Sequence, residues 1–177
     1  MAHLPYATYA DLGSPETLAL VRRIEAERGS VLHLYQMLLH SPPLAEGWLG
    51  YFTAVRQKLS LPGALRELVI LRVAQLNGAP YEAQQHTPIA LQEGVTPAQL
   101  SALEAWPASG AFNAMERDVL ALCDTMTRHV QVPRATLLAV QQHLGERQTV
   151  ELVATVAAYN MVSRFLEALH IHGDDVR

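Results

Sequence analysis

Residues 61–94 read LPGALRELVILRVAQLNGAPYEAQQHTPIALQEG, and this stretch decides the fold. Leu61-Pro62-Gly63 punctuates the chain, and the residues from about Ala64 to Asn77 predict one helix. Its segment Leu68-Val69-Ile70-Leu71-Arg72-Val73-Ala74 is apolar on nearly every face. That is the pattern of a central, enclosed helix rather than a surface one. Asn77-Gly78 is a helix stop, and Pro80 suits the first turn of a following helix that reaches about Glu93. Pro88 lies inside that second helix, where a kink or a lost hydrogen bond is expected. So short a turn folds the second helix back along the first.

The rest of the chain repeats the helical grammar. Ser14-Pro15-Glu16 supplies an N-cap, a first-turn proline and a first-turn acid for a helix to about Gly29, with Leu18, Leu20, Val21 and Ile24 as its apolar stripe. A helix over about Val31 to His40 stops at Ser41-Pro42-Pro43, where another begins, carrying Leu44, Trp48, Tyr51, Phe52 and Val55. Thr96-Pro97 opens a short helix to about Trp106, and Asn113 with Glu116 makes a capping box for one that reaches about His129. Pro133 starts a further helix ending near Leu144-Gly145, and a last one runs from about Arg147 to Leu169. No segment alternates convincingly as a strand does, so the fold class is all-α with no sheet. Glu67-Leu68-Val69 lines up with Glu151-Leu152-Val153, and Val73-Ala74 with Ala157-Ala158 in the same register. Two readings stand: a duplicated helical hairpin about a pseudo-dyad, or two helices that share common residues.

Composition narrows the function classes. The chain has 177 residues, half of them hydrophobic and 17% charged, which fits one domain over 1–177 and excludes a disordered chain. Net charge is −4 and the pI about 6.0, so no basic footprint points to nucleic acid or an anionic membrane. The longest fully apolar runs fall short of a membrane span, and no secretory signal is visible at Met1 to Tyr9, so a cytoplasmic protein is expected. A single cysteine, Cys123, makes no internal disulfide and sits at a core-like position between Leu122 and Met126. His170 and His172 are too few for a metal site, and His33 and His40 have no acidic partner at ligand spacing; no metal and no cofactor is expected.

One constellation carries chemistry. Glu82 and His86 are four apart on one helix face, and Glu67 lies on the preceding helix in an otherwise apolar segment. A buried carboxylate must find a partner. A carboxylate beside an imidazole orients the ring and stabilises its protonated form, which makes His86 a general acid/base and Tyr81 a possible added donor. The same Glu–His spacing is also common on solvated helices.

Arg66-Glu67 with the apolar run to Asn77-Gly78, then Tyr81-Glu82 and His86, then Ile89-Ala90 and Gly94-Val95, strongly resemble the carboxymuconolactone decarboxylase / alkylhydroperoxidase D superfamily. The match is dense over about Leu61 to Leu100, with a family core of about 35–171. The resemblance implies an alkylhydroperoxidase D-like helical domain with a duplicated helical unit, assembled as homotrimers or as hexamers of two trimers. In the peroxidase branch of that family, Glu67 and His86 match a Glu and a His, but the two thiol positions fall on Ala79 and Glu82. Dithiol peroxide reduction needs both thiols, so it is excluded. The cysteine-free branch has a Trp where this chain has Ala83. The resemblance therefore implies a thiol-independent acid/base enzyme (decarboxylase, isomerase or hydrolase) acting on a small unsaturated lactone or carbonyl acid. Glu67, Glu82 and His86 would be its catalytic residues, with Tyr81 and Arg72 against the substrate. The alternative is a family member that binds a small ligand without turning it over. Arg72 is equally suited to pair with a buried acid.

Overall fold

The computed structural model describes residues 1–8 and 13–173, and among them it contains helices and no strand. The helices are α1 (Pro15–Arg28), α2 (His33–Leu38), α3 (Pro42–Gln57), α4 (Gly63–Asn77), α5 (Pro80–Gln92), α6 (Pro97–Ala102), α7 (Ala114–His129) and α8 (Arg134–Leu169). The described residues fall into two compact units, one of those up to 58 with those from 166 onward and one of residues 59–165.

In the first unit α1 and α2 pack on α3. Ser14 caps α1 through its bond from the Thr17 amide, and Gly29 ends it in the left-handed region at φ 80°. Leu20, Val21 and Ile24 are buried as expected, but Leu18, Leu44 and Tyr51 are exposed. Their stripes are narrower than the sequence suggested. Helix α2 is shorter than the expected span because Leu32 is extended at its N-terminus and Ser41 already serves as the N-cap of α3.

The second unit is built around α4, which packs chiefly on α5 and α7. Every residue from Leu65 to Ala74 is buried, so α4 is enclosed on all sides as its pattern predicted. Gly78 at φ 64° closes α4 in a conformation that costs glycine nothing, and Pro80 begins α5 within two residues. Pro88 leaves α5 continuous. It and Gln84 both lie on the exposed side, so the carbonyl deprived of its partner faces water. Leu68, Leu71, Ala90, Val95, Leu103, Trp106, Phe112 and Leu120 form one apolar cluster of this unit. Helix α6 ends at Ala102 rather than Trp106. Trp106–Ala108 forms a short 3₁₀ turn of its own.

The two C-terminal helices, together labelled α8, meet at a kink at Gly145 (φ 70°, ψ 178°), where the sequence set their boundary. By length and composition alone α8 is apolar enough to cross a membrane, although no uninterrupted apolar run is long enough. Within this fold it buries Val140, Leu152, Val156, Tyr159 and Val162. The two acids aligned by the internal similarity differ in setting. Glu67 is wholly buried, whereas Glu151 is half-buried and receives the amide and hydroxyl of Ser60.

Candidate active site

Because α4 is enclosed, each polar residue on it enters the interior with the helix and must be matched there. Glu67, with no exposed surface, is matched twice. Its Oε2 lies 2.7 Å from His86 Nδ1 on α5, and its Oε1 accepts from Arg66 Nε at 3.0 Å. Arg66 also donates from Nη2 to Glu93 at the end of α5, at 2.8 Å. Gly63 makes room for that carboxylate, since a Cβ there would collide with Glu93 Oε2. His86 is nearly buried, its side chain 10% exposed, and its ring meets the Tyr159 ring edge-on at 5.1 Å.

The charges follow from this geometry. Burial alone pushes the Glu67 carboxyl up, but the bonds and charges of His86 and Arg66 outweigh it and hold its pKa below the ordinary 4.5. Burial likewise opposes the Arg66 charge, and the bonds from Glu67 and Glu93 more than restore it. Glu67 is therefore a carboxylate at neutral pH. A carboxylate facing Nδ1 fixes the proton there, so Nε2 is the ring nitrogen left to exchange a proton with a substrate.

Glu82 lies one turn before His86 on α5 and is 2% exposed. The geometry pairs it with Ser163 of α8, whose Oγ contacts Glu82 Oε2. Tyr159 and Ser163, four apart on α8, thus bring one helix face to both His86 and Glu82. Sequence reasoning did not single out either residue. Both lie more than sixty positions from α5, and nothing local marks them. Arg66 was visible only as the neighbour of Glu67. Tyr81 is buried in the first turn of α5.

Arg72 lies elsewhere. Its Nε and Nη2 grip Asp124 of α7 at 2.6 and 2.7 Å, and its Nη1 reaches the carbonyls of Leu103 and Glu104 at 3.1 and 3.3 Å. A guanidinium so occupied has no fork to offer a substrate. This corrects the reading of Arg72 as a substrate contact and leaves it as a tie between α4, α7 and the segment before Trp106. Cys123 is fully buried. Its thiol faces the Val69 carbonyl at 3.8 Å, and burial pushes it far up from the ordinary thiol value. Among the described residues no group of three or more His, Cys, Asp or Glu is arranged to hold a metal.

The sequence pattern of the Carboxymuconolactone decarboxylase family matches residues 42–125. Uncharacterized protein YdfG of Bacillus subtilis (strain 168) is 30% identical over 112 residues, covering 62% of this chain and 76% of that protein. Among solved structures, an alkylhydroperoxidase AhpD core, an uncharacterized peroxidase-related protein from Ralstonia eutropha JMP134, superposes with a TM-score of 0.81 at 16% identity, over 98% of this chain and 93% of that one. A cysteine-to-alanine form of the debrominase Bmp8 in complex with 2,3,4-tribromopyrrole gives 0.79 at 18% identity, over 96% and 92%. At these identities the two structures speak for the fold alone.

Proposed function

The chain belongs to the carboxymuconolactone decarboxylase family, and on that premise we propose that it is a thiol-independent acid/base enzyme acting on a small unsaturated lactone or carbonyl acid. The observation that carries this reading is the buried contact of 2.7 Å between Glu67 Oε2 and His86 Nδ1. Glu67 keeps the ring in one orientation and one tautomer, and His86 Nε2 takes or gives the proton that moves in the reaction. In a decarboxylation, the electrons of the breaking carbon–carbon bond pass into the lactone carbonyl, and a proton is then delivered to carbon. A double-bond shift needs the same two elements, an acceptor carbonyl and a placed proton. Tyr81 stays in this reading as a substrate contact, and Arg72 leaves it.

The assay is carbon dioxide release, or loss of ultraviolet absorbance, on incubation with an unsaturated carboxylactone, comparing the wild type with His86→Ala. Turnover that depends on His86 is the expected result. A ligand bound and returned unchanged would favour a binding protein, and turnover retained without His86 would sink the acid/base reading.

We also propose a cytoplasmic homotrimer or hexamer. Helix α4 is already covered within one chain, so it lends no support to assembly; the support comes from α8, where Val150 and Met161 are exposed. A monodisperse monomer by light scattering at micromolar concentration would refute the assembly.

A further inference from the structure

We infer that Glu93 is a positioning residue of the Glu67–His86 pair: it draws one prong of Arg66 to itself and so keeps one oxygen of Glu67 for the imidazole. Arg66 divides the Nε–Nη2 edge of its guanidinium between two carboxylates. Nε donates to Glu67 Oε1 at 3.0 Å, and Nη2 donates to Glu93 Oε1 at 2.8 Å. Arg72, on the same helix, shows what that edge does when one carboxylate takes all of it. Its Nε and Nη2 close on the two oxygens of Asp124 at 2.6 and 2.7 Å. Such a fork is the strong arrangement for a guanidinium and a carboxylate. Glu67 escapes it because Nη2 is engaged by Glu93, and its Oε2 lies 2.7 Å from His86 Nδ1 instead.

Two features set the Glu93 contact apart from a casual one at the surface. Glu93 is the C-cap of α5, where a negative charge meets the negative end of the helix dipole, so α5 itself gains nothing from a carboxylate there. Gly63, the first residue of α4, leaves the space that this carboxylate fills, since any Cβ at that position would meet it. The start of α4 and the end of α5 thus both accommodate one carboxylate against Arg66. The Glu93 side chain is 40% exposed, whereas Arg66 and Glu67 are buried, so the pair is held from the rim of the site.

Without Glu93, the carboxylate that Arg66 still holds is Glu67. Closing the fork on it sets two parallel N–H···O bonds along the guanidinium edge and turns Oε2 from the imidazole. His86 then loses the partner that fixes hydrogen on Nδ1. The use of that ring in catalysis rests on the acid/base reading above; the arrangement around Arg66 does not.

Long-range ¹H–¹⁵N correlation spectra of His86, without substrate and at a pH where the ring is neutral, test the assignment. The wild type is expected to hold hydrogen on Nδ1, and Glu93→Ala to lose that preference. Adding Arg66→Lys to Glu93→Ala should restore it, since an ammonium keeps the charge but has no fork. A wild type without the preference, or a preference unchanged in Glu93→Ala, overturns the proposal. So does a loss that Arg66→Lys leaves in place, which would make Glu93 only a pin between α4 and α5. Should Glu93→Ala fail to fold, Glu93→Gln decides, because a neutral amide holds a guanidinium prong less strongly than a carboxylate does. A full preference in Glu93→Gln then overturns the proposal. With a turned-over substrate, Glu93→Ala should lower kcat while leaving KM unchanged. Absence of turnover in the wild type would count against the acid/base reading and leave the spectra to decide on Glu93.

Discussion

Glu67 and Arg72 lie five residues apart on the same enclosed helix, and each carries a charge into the interior. Their surroundings differ in kind. Arg72 meets Asp124 in a two-pronged grip, and backbone carbonyls take up a further nitrogen. Each arm of the guanidinium is taken up within the protein, so the cluster is closed and its product is rigidity. Glu67 meets a fixed cation on one oxygen and an imidazole on the other. An imidazole has two ring nitrogens, so one can hold the carboxylate while the other stays outside the pair. A charge inside an apolar helix therefore announces a partner, and the nature of that partner separates a brace from a site.

The comparison is open to breakage at either end. The largest effect is expected from His86→Ala, which should lower turnover by about a hundred- to ten-thousand-fold while circular dichroism and assembly are preserved. Next comes Arg72→Ala. It takes away the two-pronged partner of Asp124, leaving Trp106 Nε1 at 3.4 Å and Arg128 at 3.8 Å, and should cost about 3 kcal/mol of stability in urea unfolding. Turnover per folded molecule should not change. An Arg72 variant as inactive as His86→Ala would erase the distinction between the two regions.

A smaller effect, one of direction, concerns acid. The folded pKa of Glu67 lies below 4.5, so its pairing stabilises the protein fully above that pH and less as the pH falls through the folded value. The stability gap between wild type and Glu67→Gln should accordingly shrink on acidification below pH 4.5. A gap that widens there would mean the carboxyl is not held ionised by its partners.

How much of this was legible in the chain depends on range. The enclosed helix, the stop at Gly78, the caps at Ser14, Thr96 and Asn113, and the break at Gly145 are all local, and each stands where the residues put it. The contact of Glu67 with His86 was legible too, because a two-residue turn constrains what the paired helices can present to each other. Ser163 and Tyr159 were not legible: which face of α8 reaches α5 is decided by packing across some eighty residues, and a serine in a helix carries no mark of its partner. The same holds for Asp124, the acid for which Arg72 was waiting. Burial stripes on α1 and α3 were overdrawn at Leu18, Leu44 and Tyr51, because an apolar residue at the edge of a stripe is free to face water.

On this geometry Glu67 holds the Nδ1 proton of His86 and leaves Nε2 for chemistry. Long-range ¹H–¹⁵N correlation spectra of the histidine side chains resolve which ring nitrogen carries hydrogen, with His86→Ala for assignment. In the neutral form of the His86 ring, hydrogen is expected on Nδ1, and that preference is expected to be lost in Glu67→Gln. A neutral ring protonated at Nε2 in the wild type would contradict it.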